Sequence, residues 1–237
     1  MPYRRLPNTD KARLKALKQA HEKMKQLPIE KLPVDITTYK EVQHMLPVFE
    51  IAITEYNTAL SKQKKLREIY QKEQKLLKMY VSHFLQVMIM AVERKDLPPQ
   101  TLTLFNIKKK ILPKFQTDKN LEYWTEHIIS VENERKIQGL KPVENPNIIS
   151  VNIQWERFKS VKENYLNAKR FTANKRQVIS KLRPKVDNLI RKMWNQIEKY
   201  FASYPSIIKR EKTKEYGIVY IFRKNEEKIT LQDILNF

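Results

Sequence analysis

Apolar residues recur about every three and a half positions in two very long runs of this chain, with proline-punctuated stretches around them. The first run takes in Val42, Met45, Phe49, Ile53, Tyr56, Leu60, Leu66, Tyr70, Leu77, Tyr80, Phe84, Val87 and Ala91. The second takes in Val151, Trp155, Phe158, Val161, Tyr165, Ala168, Thr172, Ile179, Leu182, Val186, Leu189, Met193, Ile197 and Tyr200. That spacing keeps one stripe of a helix turned toward a partner helix. It predicts two long helices, at about 38–95 and 148–202. Pro47 and Pro184 lie inside them and predict local kinks, because proline removes one hydrogen bond of the ladder. Both stripes weaken in the middle, at Ser61–Lys65 and Ala168–Arg176. An antiparallel alignment that sets Val42 against Met193 brings strong end to strong end.

Two shorter helices frame these runs. Asn8, Thr9 and Asp10 offer side-chain oxygens to the unpaired N–H groups of a first turn. Leu14, Leu17, His21 and Met24 then share a face, and Leu27-Pro28 ends the helix at about residue 26. A second helix, about 118–138, shows Leu121, Trp124, Ile128 and Val131 on one face, with Gly139 and Pro142 as its stop. Residues 100–116 read as irregular, with one turn at Leu102–Ile107. The segment Tyr216–Phe222 is β-branched and aromatic and reads as a strand. Lys228–Leu231 can return beside it, which predicts a small C-terminal β element over about 214–232. The N-terminal arm, residues 1–8, is as averse to helix as that segment and is expected to lie beside it.

Composition narrows the picture. There are 237 residues but only 2 glycines, against 12 prolines. So few glycines leave little for hairpins or phosphate-cradling loops, which need positive φ. The expected fold is mainly α: an elongated antiparallel helical bundle built on two long helices, one domain over 1–237, with the small β element at its end. No run in the first thirty residues resembles the apolar core of a secretory signal. No window approaches the roughly 20 apolar residues of a membrane span, the longest apolar stretch being Phe84–Val92 with Gln86 inside it. Cysteine is absent, which excludes disulfides and thiolate chemistry and fits a reducing, cytoplasmic setting.

Catalytic patterns are not visible. The four histidines, His21, His44, His83 and His127, form no HExxH or i,i+4 pair. Glu41 and His44 make one Glu-x-x-His, but a di-metal bundle needs that motif on two helices and two further carboxylates. No phosphate-binding loop or nucleophile elbow occurs. The expectation is a non-enzymatic protein with no catalytic, metal or cofactor residues.

Charge is the stronger signal. Lysine and arginine total 47 against 26 acidic residues, a formal net charge of +21. Between Arg157 and Lys185 ten basic residues face one acid, Glu163. Lys162, Lys169, Arg176 and Arg183 are spaced seven apart, so they form a stripe, and Arg170 and Lys175 stand beside it. Phe171, among them, offers a ring on which a base can stack. Two readings compete. The stripe pairs in part with acids inside the fold, Glu122, Glu126, Glu132 and Glu134 being available on the helix at 118–138. Or it awaits a polyanion. The two stand about level, and the function slightly favoured is that of a protein that binds RNA or DNA without sequence specificity through Lys162, Lys169, Arg170, Lys175, Arg176 and Arg183. The alternative is a helical scaffold or adaptor for another protein, an acidic one included. Nothing in the pattern sets an oligomeric state.

The opening "MPYRRLPNTD", the segment "LKMYVSHFLQVMIMAV" and the closing "EYGIVYIFRK" together resemble a family of bacterial all-helical proteins with no known activity. The resemblance extends over nearly the whole chain. It implies a cytoplasmic bacterial helical protein and brings no cofactor or site residue.

Overall fold

A computed structural model of the protein describes residues 2–108 and 110–224. In chain order its elements are β1 (Tyr3–Arg4), α1 (Asp10–Lys25), α2 (Ile36–Glu93), α3 (Gln100–Leu104), α4 (Asp118–Ile137), α5 (Ile148–Tyr200), α6 (Ser206–Lys214) and β2 (Tyr220–Ile221). A single 3₁₀ turn, Ile29–Lys31, sits in the proline-rich connector before α2. The predicted helices are present with ends shifted by about two residues. α2 and α5 each continue through their proline, Pro47 and Pro184, as one helix.

Contacts divide the chain into two compact units, Met1–Ala59 with Thr172–Phe237, and Leu60–Phe171. α2 and α5 give one segment to each. In the first unit α1 is capped by Thr9, whose Oγ1 accepts from the Ala12 N–H at 3.2 Å. Asp35 plays the same part for α2, accepting from the Thr38 N–H at 2.5 Å. α2 and α5 run antiparallel, with Lys192 3.2 Å from Glu41 and Lys175 2.9 Å from Glu55. That agrees with the register setting Val42 against Met193. Leu17, Met24, Val42 and Phe49 pack with Val186, Ile190, Met193 and Trp194 as a buried core.

The small C-terminal β element is present, and its described partner is the N-terminal arm: β2 pairs antiparallel with β1, Tyr3 opposite Ile221 and Arg4 opposite Tyr220. The Arg5 N–H extends the ladder to the Val219 carbonyl at 2.9 Å. The arm therefore lies beside the C-terminal segment, as expected. β2 is two residues long, and the proposed return strand Lys228–Leu231 lies outside the described residues. The apolar pattern did not mark α6: this helix follows Pro205, and Lys212 places its Nζ 5.0 Å from the centre of the Tyr204 ring.

In the second unit Leu77, Val81, Phe84, Leu85 and Met88 of α2 pack with Phe105, with Leu121 and Ile128 of α4, and with Val151 and Phe158 of α5. α2 and α5 again run antiparallel. Tyr70 stacks on Tyr165 with ring centres 5.1 Å apart, and Gln154 donates to Glu73 at 2.6 Å. The connection from α4 to α5 is tied down by a buried pair. Glu132 accepts from the Val143 N–H at 2.7 Å and from Arg135 at 3.0 Å, while Arg135 also donates to the Lys141 carbonyl at 2.9 Å. Gly139, at φ +70°, turns the chain out of α4.

One eighteen-residue window of α2 is apolar enough, by length and composition, to cross a membrane, which corrects the expectation that no window approaches such a span. A third of that window is buried within the protein. Core helices of water-soluble proteins pass the same test.

Candidate nucleic-acid interface

The six basic residues singled out in α5 separate into two kinds. Three are paired inside the fold. Lys162 is bonded to Glu122 of α4, Lys175 to Glu55 of α2, and Arg183 reaches Asp10 of α1 through both Nε, 2.9 Å, and Nη2, 2.7 Å. The competition between intramolecular pairing and excess charge is thus divided along one helix. Pairing takes the positions that face a neighbouring helix carrying an acid. Lys169, Arg170 and Arg176 are exposed and make no ion pair among the described residues.

Within the unit Leu60–Phe171 the unpaired charges have company. The Tyr70–Tyr165 stack fixes the register. About one turn, 5.4 Å, beyond it α2 presents Arg67 and α5 presents Lys169 and Arg170. A further turn along α2 come Lys62, Lys64 and Lys65. All six are exposed and make no ion pair among the described residues. Two exposed acids, Glu68 and Glu163, lie in the same segments, so this end of the unit keeps a net charge of about +4 at neutral pH. Phe171, 53% exposed, lies beside Arg170 in sequence.

Burial explains why this end is basic and lacks a core. Leu66 and Tyr70 are only half-buried here, whereas Leu77 and Phe84 further along α2 are fully buried. The opposed segments have few apolar side chains to exclude water, and long lysine and arginine side chains keep their heads solvated at little cost. The run "SKQKKLR" in α2 carried this signal, since it holds four cations and no acid where a paired coiled coil offers acids to a basic stripe.

Two lysines outside α5 are paired locally. Lys110 pairs with Glu93 at 2.9 Å, and Lys214 with Glu211 at 2.5 Å. The positive charge as a whole is spread over the chain. The unit Leu60–Phe171 holds 22 basic and 12 acidic residues, and the remaining chain 25 and 14. Net charge alone therefore does not distinguish the two units.

The histidines form no common site. His21 stacks on Tyr39, His127 stacks on Tyr123 and approaches Asn106 at 3.4 Å, and no group of three or more His, Asp or Glu is placed to hold a metal among the described residues. Comparison with family models, with curated proteins and with solved structures finds no match to this chain.

Proposed function

We propose that this is a non-enzymatic helical protein of the cytoplasm that binds a polyanion, RNA or DNA without sequence preference, through the basic end of the Leu60–Phe171 unit. The observation that carries the reading is the set Lys62, Lys64, Lys65, Arg67, Lys169 and Arg170, six exposed cations on two adjoining antiparallel helices with no ion pair among the described residues. Such a surface follows a phosphate backbone by charge alone, which gives affinity without reading bases. Phe171 adds a face for a stacked base. In this reading α2 is not a membrane span, since its apolar residues Leu77, Phe84, Leu85 and Met88 are buried against α4 and α5.

The test is binding of fluorescent single-stranded RNA and double-stranded DNA between about 50 and 200 mM salt, where phosphate contacts make affinity fall steeply. The variant Lys62→Gln, Lys64→Gln, Lys169→Gln, Arg170→Gln is expected to bind weakly, with a log–log salt slope shallower by roughly 3 to 4. A control variant, Lys181→Gln with Lys185→Gln, removes equally exposed charge from the other unit and should bind as the unaltered protein does. If the first variant keeps its affinity and slope, the interface is wrong.

A scaffold reading draws on one observation: Ile149 and Ile153, one turn apart on α5, are 56% and 61% exposed. Salt-insensitive capture of a protein partner that Ile153→Glu abolishes would favour it.

A further inference from the structure

A cavity of about 440 Å³ opens in the unit formed by the two ends of the chain. Gly217 is one of its lining residues. At φ +83° this residue brings the chain before β2 against α1 so closely that a Cβ there would stand 3.1 Å from Gln19 Oε1 and 3.2 Å from the Ala16 carbonyl oxygen. The space left between this crossing, the first turns of α1 and the arm after β1 is the cavity. Trp194 of α5 meets it from the core side. An interlocked set of hydrogen bonds holds the wall. Arg4 and the Tyr220 hydroxyl both bond to Glu198, at 2.8 and 2.7 Å, and Tyr220 also meets Thr213 of α6 at 3.1 Å.

Three properties of the walls agree on what would occupy the space. The first is charge. Arg5, Lys15 and Lys214 line it, and no aspartate or glutamate does. Arg5 and Lys15 make no ion pair among the described residues, so their field is not cancelled locally. The second is a missing acceptor. Trp194 is 1% exposed, and its Nε1–H has no hydrogen-bond partner among the described residues. An indole nitrogen only donates, so what it lacks is an oxygen, and a buried donor left unpaired is costly. The third is the apolar remainder, to which Leu6 and Ile218 contribute. The volume falls in the range of small-molecule pockets, about 300 to 1,000 Å³, and mixed walls with a few converging polar groups are the usual form of such sites.

The geometry points to a binding site for a small organic anion. A carboxylate or phosphate head is held by Arg5 and Lys15, an apolar body lies against Leu6 and Ile218, and an oxygen of the ligand accepts from Trp194 Nε1. This site is separate from the polyanion surface of the Leu60–Phe171 unit and does not depend on it. A duplex or a strand does not fit a cavity of this volume, so the occupant is a small molecule.

Trp194 is also the reporter. The chain has three tryptophans, so Trp124→Phe with Trp155→Phe leaves Trp194 as the sole indole. Octyl phosphate and octanoate supply the two head chemistries on one apolar body, octanol the body without charge, and inorganic phosphate the charge without the body. At least one of the two amphiphilic anions should shift Trp194 emission saturably and bind at least tenfold tighter than octanol or phosphate. Arg5→Gln with Lys15→Gln, both exposed positions, should weaken that binding about tenfold while leaving the thermal midpoint in place. Calorimetric titration of the unaltered protein and of the Arg5/Lys15 variant gives the same comparison with both core tryptophans intact. The inference is overturned if octanol binds as tightly as the anions, if the Arg5/Lys15 variant binds unchanged, or if neither anion saturates.

Discussion

Arg183 and Asp10 are joined by two parallel hydrogen bonds, 2.9 and 2.7 Å, that tie the first turn of α1 to α5. Asp10 also receives Arg13 at 3.3 Å, and Arg13 in turn holds Asp187 at 2.7 Å. A fork-to-fork arginine–carboxylate pair fixes geometry as well as charge. Arg183 is 40% exposed at its side chain, so solvent screens the pair, and Asp10→Asn should cost only about 1 kcal/mol. A double-mutant cycle with Arg183→Gln, read by urea unfolding, should show most of that cost as coupling between the two.

The same pair makes stability fall in acid. Hydrogen bonds from Arg183, against a burial effect that opposes them, hold the Asp10 carboxyl below its ordinary 3.8. Asp35 is held low as well, by the Thr38 N–H. A carboxylate with a depressed native pKa stabilises the fold above the ordinary value, and that stabilisation is lost as pH falls from about 4 through the lowered value. Unfolding free energy measured from neutral pH down to about 2 should therefore drop more steeply for the unaltered protein than for Asp10→Asn.

Tyr220 gives the opposite limb. Burial, helped by Glu198, pushes its hydroxyl from 10.0 up to about 12. The native state keeps a proton that the unfolded chain releases, so stability is full below pH 10 and declines as pH rises from 10 toward 12. Tyr220→Phe should flatten that alkaline decline. Deleting residues 2–6 should lower the thermal midpoint by several degrees, because it removes β1, the Arg5–Val219 bond and the Arg4–Glu198 pair together. An unchanged melting curve would mean the strand pairing contributes nothing.

Glu132 and Arg135 form the one buried ion pair among the described residues, at 0% and 2% exposure. Burial raises the Glu132 carboxyl above its ordinary value against the pull of the Val143 N–H and Arg135. Glu132→Ala strands a buried guanidinium and frees the chain at Val143, so it should cost about 3 to 5 kcal/mol in chemical denaturation. Replacing both partners by apolar residues, Glu132→Leu with Arg135→Met, should recover much of that loss.

The two glycines separate backbone strain from crowding. Gly139→Ala meets nothing within 4 Å and should cost about 1 kcal/mol, the ordinary penalty of a left-handed alanine. Gly217→Ala carries the same strain and adds contacts of 3.1 to 3.3 Å with α1, of which two are backbone atoms of Ala16. It should destabilise by more than Gly139→Ala under the same denaturant titration, and a smaller effect would mean α1 yields easily.

The helices were legible in the chain because their information is local. The 3.5 spacing from Val42 to Ala91 and from Val151 to Tyr200 states both the helix and the face it buries, and Thr9 and Gly139 mark ends through one side-chain bond and one positive φ. Even the antiparallel register could be read, since apolar ends must meet apolar ends to leave water. The partner of a strand and the partner of a charge are not local. Nothing within Tyr216–Phe222 says that it pairs with Tyr3–Arg4, more than two hundred residues away. Nothing in the seven-residue spacing of Lys162, Lys169, Arg176 and Arg183 distinguishes those that meet Glu122 or Asp10 from those left to solvent, because a lysine on a helix looks the same whichever face its neighbours occupy. Only the packing of α1 and α4 onto α5 decides that, and only the crossing of the two chain ends brings together the walls of the cavity beside Trp194.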